Sequence, residues 1–135
     1  MVWQHDRPKI PNYASPALLT IGGRAQMVKP GCNLVTSLDP ATGKVIWEIA
    51  GSTEETVVTA ATDGKRVFVG GGYPKQHALA VEADGSGRIA WQNGTKVYVP
   101  SMLVRDGHVY AVLDSGQALC WKSDTGDELW REKID

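Results

Sequence analysis

At 135 residues the chain has the size of one ordinary domain, and 14 basic against 15 acidic side chains leave a formal net charge of -1. That balance supplies no global field toward nucleic acid or anionic lipid, so neither is expected as a partner. No apolar run reaches the roughly 20 residues of a membrane-spanning helix, and the opening MVWQHDRPKIP carries no secretory apolar core.

In chain order, residues 1–16 come first. Pro8, Pro11 and Pro16 break any regular element there and predict an extended connector. Its polar group His5, Asp6, Arg7 and Lys9 reads as a solvated connector, with a polar binding rim as the alternative. Beyond it, Val, Thr, Ala and Trp alternate with Gly-bearing turns, and helix formers cluster nowhere. That texture predicts short strands at 17–21, 25–28, 33–38 and 45–49, then at 56–62, 67–70, 77–82 and 89–92. A last set falls at 101–105, 109–113, 118–122 and 128–132.

The strands come in repeats. LDPATGKVIW, EADGSGRIAW and WKSDTGDELW end at Trp47, Trp91 and Trp130, spaced 44 and 39 residues apart, with Gly43, Gly87 and Gly126 each four residues before the Trp. A second landmark, the turns at Gly23, Gly64 and Gly107, recurs at intervals of 41 and 43. Two landmarks at one period predict a repeated four-stranded antiparallel unit, which is the pattern of a β-propeller blade. The fold class is therefore all-β: about three such blades, part of a propeller. The units are expected at residues 17–52, 53–95 and 96–135, after the connector at 1–16. A β-sandwich is the structural alternative, but it needs no such regular period.

LDPATGKVIW and CWKSDTGDELW resemble the pyrroloquinoline-quinone-like (PQQ-like) β-propeller repeat: an acid, two or three residues, Thr-Gly, three residues and Trp. The motif residues are Asp39, Thr42, Gly43 and Trp47 in the first copy, Gly87 and Trp91 in the second, and Asp124, Thr125, Gly126 and Trp130 in the third. The middle copy departs, with Ser86 for Thr and Ala83 set opposite Asp39. Trp3 stands where the terminal Trp of a preceding blade would fall. The recurring Trps are read as packing between sheets rather than as ligand contacts.

The resemblance implies six to eight blades in a whole ring, an extracytoplasmic location, periplasmic or secreted, and three kinds of relative. These are scaffolds of outer-membrane β-barrel assembly, quinone-dependent dehydrogenases, and propeller sensors linked to kinases. Three blades cannot close a ring, so a piece of a larger protein, or a homo-oligomer covering the open blade edges, is expected.

Little in the sequence suggests chemistry. Cys32 and Cys120 could pair or stay free, and are read as buried free thiols. His5, His77 and His108 lack metal-ligand spacing, and EADGSG lacks the ordered oxygen ligands of a calcium loop. GGGYPKQH has no Gly-Lys-Ser/Thr ending and reads as a loop between second and third strands, where Tyr73 and Lys75 are the candidate surface-binding residues. No catalytic residue, metal site or cofactor is assigned. The favoured function is a non-catalytic scaffold for a protein or polymer partner, with a quinone dehydrogenase piece or a kinase-associated sensor as alternatives.

Overall fold

The computed structural model describes residues 2–134, so the expected outer bounds at residues 1 and 135 lie outside the described residues. Twelve strands form three sheets of four among them. The first holds β1 (Ala17–Ile21), β2 (Arg24–Gly31), β3 (Leu34–Leu38) and β4 (Val45–Ala50). The second holds β5 (Ala61–Thr62), β6 (Arg66–Gly71), β7 (His77–Glu82) and β8 (Ile89–Asn93). The third holds β9 (Leu103–Arg105), β10 (His108–Val112), β11 (Gln117–Lys122) and β12 (Glu128–Lys133).

Each sheet is an antiparallel meander whose strands lie in sequence order, so the hairpins are local and their turns decide the geometry. Gly22 and Gly23 join β1 to β2 with φ of 56° and 76°, and Asp106 and Gly107 join β9 to β10 with 50° and 75°. Paired positive φ values give the two-residue turn whose twist matches that of the strands it joins. Cys32 and Asn33 adopt the same form at 58° and 62° between β2 and β3. Their N–H groups donate to Glu54 O and Thr53 O of the chain leaving β4, which fixes the turn to that connector.

The third and fourth strands of every sheet carry one irregularity at the same place. The register shifts just past Ser37↔Trp47, Ala80↔Trp91 and Cys120↔Trp130, on the side of the following turn. A bulge bends and twists its strand. Here it sets the outer strand's Trp at the same place in each blade.

Pairing extends each Trp into a row across its sheet. The rows are Ala17, Val28, Ser37, Trp47, then Ala61, Phe68, Ala80, Trp91, then Leu103, Tyr110, Cys120, Trp130. The first row faces the second blade and the second row faces the third, inside two apolar clusters. The middle blade is therefore covered on both faces. Val67, Val69, Leu79 and Val81 enter one cluster, while Phe68, Ala78 and Ala80 enter the other. This is why β6 and β7 read as continuous apolar runs rather than as alternating ones. Each fully buried Val, Leu or Phe contributes about 1.5–3 kcal/mol. The seams between blades, not the hydrogen-bonded ladders alone, hold the chain together.

Two expected strands are shorter than their sequence suggests. Only Ala61–Thr62 of the 56–62 run is strand, because the chain before it serves as connector: Thr56 O accepts from Tyr13 N, and Glu55 N donates to Tyr73 O. β9 begins at Leu103 rather than at 101. Cys32 and Cys120 are both free and buried.

Candidate functional site

The Thr-Gly turns build themselves from their own side chains. Asp39 Oδ1 accepts from Ala41 N at 3.0 Å and Thr42 N at 3.1 Å, and Arg24 reaches its Oδ2 at 3.0 Å. The Arg24 bond, with those turn N–H groups, holds the Asp39 carboxyl below its ordinary pKa. Thr42 and Thr125 each accept from the N–H two residues on, and Ser86 does so in the middle copy. By register Glu82, not Ala83, stands opposite Asp39, because the turn from Val81 to Ile89 holds one residue more than those from Leu38 to Val45 and Trp121 to Glu128.

Two of these turns receive an indole. Trp91 lays its ring on Gly126 and donates Nε1 to Ser123 O at 2.9 Å. Trp3 does the same on Gly43, donating to Pro40 O at 3.0 Å. Pro40 and Ser123 each lie three residues before the Gly, so one contact is made twice. A Cβ on Gly43 would lie 2.5 Å from the Trp3 ring, and one on Gly126 2.6 Å from that of Trp91. Trp47 departs. The longer middle turn places Gly87 under Ile49 instead, and Trp47 Nε1 donates to Gln26 Oε1 at 2.9 Å, an oxygen that also takes Ser37 Oγ at 2.6 Å. Among the described residues no glycine turn receives Trp130, which is 41% exposed.

The loops between second and third strands share one end of the sheets with the connectors between blades, since alternate strands run in opposite senses. The candidate loop lies at that end. Its glycines answer close approach by neighbours rather than a phosphate: a Cβ on Gly70, Gly71 or Gly72 would lie within 2.5–2.7 Å of Val97 O, Thr53 Oγ1 and Tyr98 respectively. Tyr73 is 56% exposed and Lys75 is exposed. Lys75 lines a cavity of about 450 Å³ with Gln76, His77, Gln92, Asn93 and Ser52; Tyr73 lies outside it. Among the described residues no carboxylate lines this cavity. Lys96, 5.4 Å above the Tyr98 ring, adds a second cation and aromatic to the same end. Neither Lys96 nor Tyr98 has a motif around it; only the Gly run, asking what presses on it, points to Tyr98.

His77 is half-buried beside Lys75, and its Nε2 is buried without a partner. Burial, and then the Lys75 charge, lower its pKa from 6.5. The unfolded chain therefore takes up a proton that the folded chain resists. Stability is full above about pH 6.5 and is lost as pH falls through the lower, folded value. Urea unfolding at pH 7.5 and pH 5 should show that loss, and His77→Gln should reduce it.

Fold and site define a class: three consecutive propeller blades packed through apolar seams, the second of which seats an indole on a Thr-Gly turn. The chain belongs to the family described as outer membrane protein assembly factor BamB, whose profile matches residues 1–132. Among solved structures it is similar to BamB from Moraxella catarrhalis, at 18% identity and a TM-score of 0.64, covering 92% of this chain and 38% of that one. A europium-containing methanol dehydrogenase matches at 15% identity and 0.66, over 90% of this chain and 24% of its own. The computationally designed Ika8 protein matches at 13% and 0.67, over 87% and 36%. Identities this low show the fold alone. No curated protein matches the chain in sequence.

A quinone with its cation takes aromatic planes for stacking and a cluster of oxygen ligands. Among the described residues no three of His, Cys, Asp and Glu gather to share a metal ion. Asp39, Asp63 and Asp84 accept bonds from their own turns. The residues present do not fit that group.

Proposed function

We propose that the chain is a non-catalytic binding module, part of a larger PQQ-like repeat protein, that works outside the cytoplasm as a scaffold in outer-membrane protein assembly. One observation carries the reading: at the connector end Lys75 and His77 line a cavity with the amides of Gln76, Gln92 and Asn93 and, among the described residues, no carboxylate, and the same end also carries Tyr73 and the Lys96–Tyr98 pair outside that cavity. Such a lining offers hydrogen-bond donors to backbone carbonyls and carboxylates, and exposed Tyr adds contact area at small entropic cost. A protein partner with an exposed backbone is the chemistry it suits. The alternative to further blades of one larger protein is a copy of the same chain covering open blade edges.

The test is a fluorescence titration with a urea-unfolded outer-membrane β-barrel protein, diluted into buffer. Tyr73→Ala combined with Lys75→Glu should weaken binding about tenfold, equivalent to about 1.4 kcal/mol, without moving the urea midpoint. Equal binding by that variant, or no binding by the unaltered chain, would sink the reading. A higher melting temperature with pyrroloquinoline quinone and Ca²⁺ would favour the redox alternative.

A further inference from the structure

We propose that the cavity at the connector end of the second blade is a carboxylate site, holding an acidic side chain or a chain-terminal carboxylate of the bound polypeptide against Lys75 and the amides around it. The proposal rests on the binding-module reading above and names the group of the partner that this end takes.

The repeat supplies the comparison. Trp3 and Ala17 recur 44 residues on as Trp47 and Ala61, and Trp47 recurs at the same interval as Trp91. Ala17 and Ala61 hold the same register in their sheets, as do Trp47 and Trp91. Arg7 therefore corresponds to Gly51, and Glu48 to Gln92. Arg7 Nη2 donates to Gly31 O at 2.8 Å, and Gly31 pairs with Leu34 just as Gly71 pairs with His77 in the second blade. The place that the Arg7 side chain fills is thus the place where, one repeat later, Gly51 and His77 line a cavity of about 450 Å³. A glycine has vacated it.

The charges around the two places are opposite. Glu48 is close enough to favour the Arg7 cation, while its counterpart Gln92 is neutral. The loop ahead of β7 runs from Gly72 to Gln76, where the one ahead of β3 is only Cys32 and Asn33, and the added length brings Lys75 to the wall. Lys75 joins none of the ion pairs among the described residues. Asn93 Oδ1 already accepts from Thr95 N at 2.9 Å, so its NH₂ is the group left to offer. An ammonium without a counter-charge, flanked by amide donors, suits an anion with two acceptor oxygens. A phosphate would want a cradle of backbone N–H groups, and Gly70, Gly71 and Gly72 are closed off by their neighbours.

Position favours a chain as the source of that anion. β1 meets β5 and β5 meets β9, so the first strands converge and the fourth strands lie outermost. The cavity lies beside the end of β8, an outermost strand, and all its lining residues belong to the second blade or to the connectors on either side of it. A polypeptide can run along that rim with one carboxylate in the cavity.

Fluorescence anisotropy of the full chain with three labelled peptides of one neutral polar sequence tests this. One carries a central glutamate and an amidated end, one a glutamine there and a free terminal carboxylate, and one a glutamine and an amidated end. At least one charged peptide should bind on the order of tenfold tighter than the neutral one, and whichever does identifies the source of the carboxylate. Gln92→Glu, which restores to the wall the acid that Glu48 supplies in the first blade, should erase that difference, and so should Lys75→Gln. Both positions are exposed, and circular dichroism confirms the fold of each variant. Equal binding of charged and neutral peptides overturns the carboxylate site, as does a difference that either variant keeps. The titration with unfolded barrel protein separates the two claims. Binding there without discrimination among the peptides removes the site and leaves the binding-module reading; discrimination among the peptides without binding there leaves the site and removes the scaffold reading.

Discussion

Replacing Trp91 with alanine should cost the protein about 3–5 kcal/mol, the range for removing a buried aromatic from a packed core. Trp91 is 8% exposed and lies between two blades, its ring 5.9 Å from Phe68 and 5.7 Å from Trp121. Truncation opens a cavity bounded by strands of both sheets, which cannot collapse without moving a whole blade. It also strands Ser123 O, which otherwise accepts the indole N–H. A domain of ordinary stability has about 5–15 kcal/mol in total. The variant should therefore unfold at a much lower urea concentration, beginning at the seam between second and third blades.

Gly126→Ala should be nearly as damaging, for a different reason. Gly126 has φ of 74°, where a Cβ is strained, and that Cβ would also enter the Trp91 ring at 2.6 Å. Gly107 in the same blade supplies the control: its φ is 75°, and nothing lies within 4 Å of its would-be Cβ. Gly107→Ala therefore reports backbone strain alone, about 1–2 kcal/mol. Gly126→Ala adds the displacement of a packed indole, an overpacking term of about 1–3 kcal/mol. Urea denaturation of the two variants side by side should show that gap.

Spacing made the blades legible before any coordinate. Trp47, Trp91 and Trp130 with their Gly partners are tied to a bulge and a turn that every repeat must rebuild, so the period survives in the sequence. Contacts across seams left weaker traces. Trp47 looks like its siblings, yet one additional residue between Val81 and Ile89 sends it to Gln26 instead. The sole sign would have been Gln26 itself, a polar residue on the face of β2 that turns toward the second blade. Thr56 to Ala60 have strand-like composition, but the Cys32–Asn33 turn holds Thr53 and Glu54 just before them and Tyr13 N donates to Thr56 O, so the chain there runs as a connector. At the candidate site, Tyr73 and Lys75 stood out as a loop, whereas His77, Lys96 and Tyr98 come together only through the close approach at Gly70–Gly72.

The seam itself is tested most directly by a double-mutant cycle between Trp91 and Gly126, read by urea denaturation. With the indole gone, the Cβ at 126 meets open space. Gly126→Ala in the Trp91→Ala background should then cost no more than Gly107→Ala, leaving a coupling of about 1–3 kcal/mol. Additive costs, with Gly126→Ala equally harmful whether or not Trp91 is present, would contradict a ring seated on that glycine.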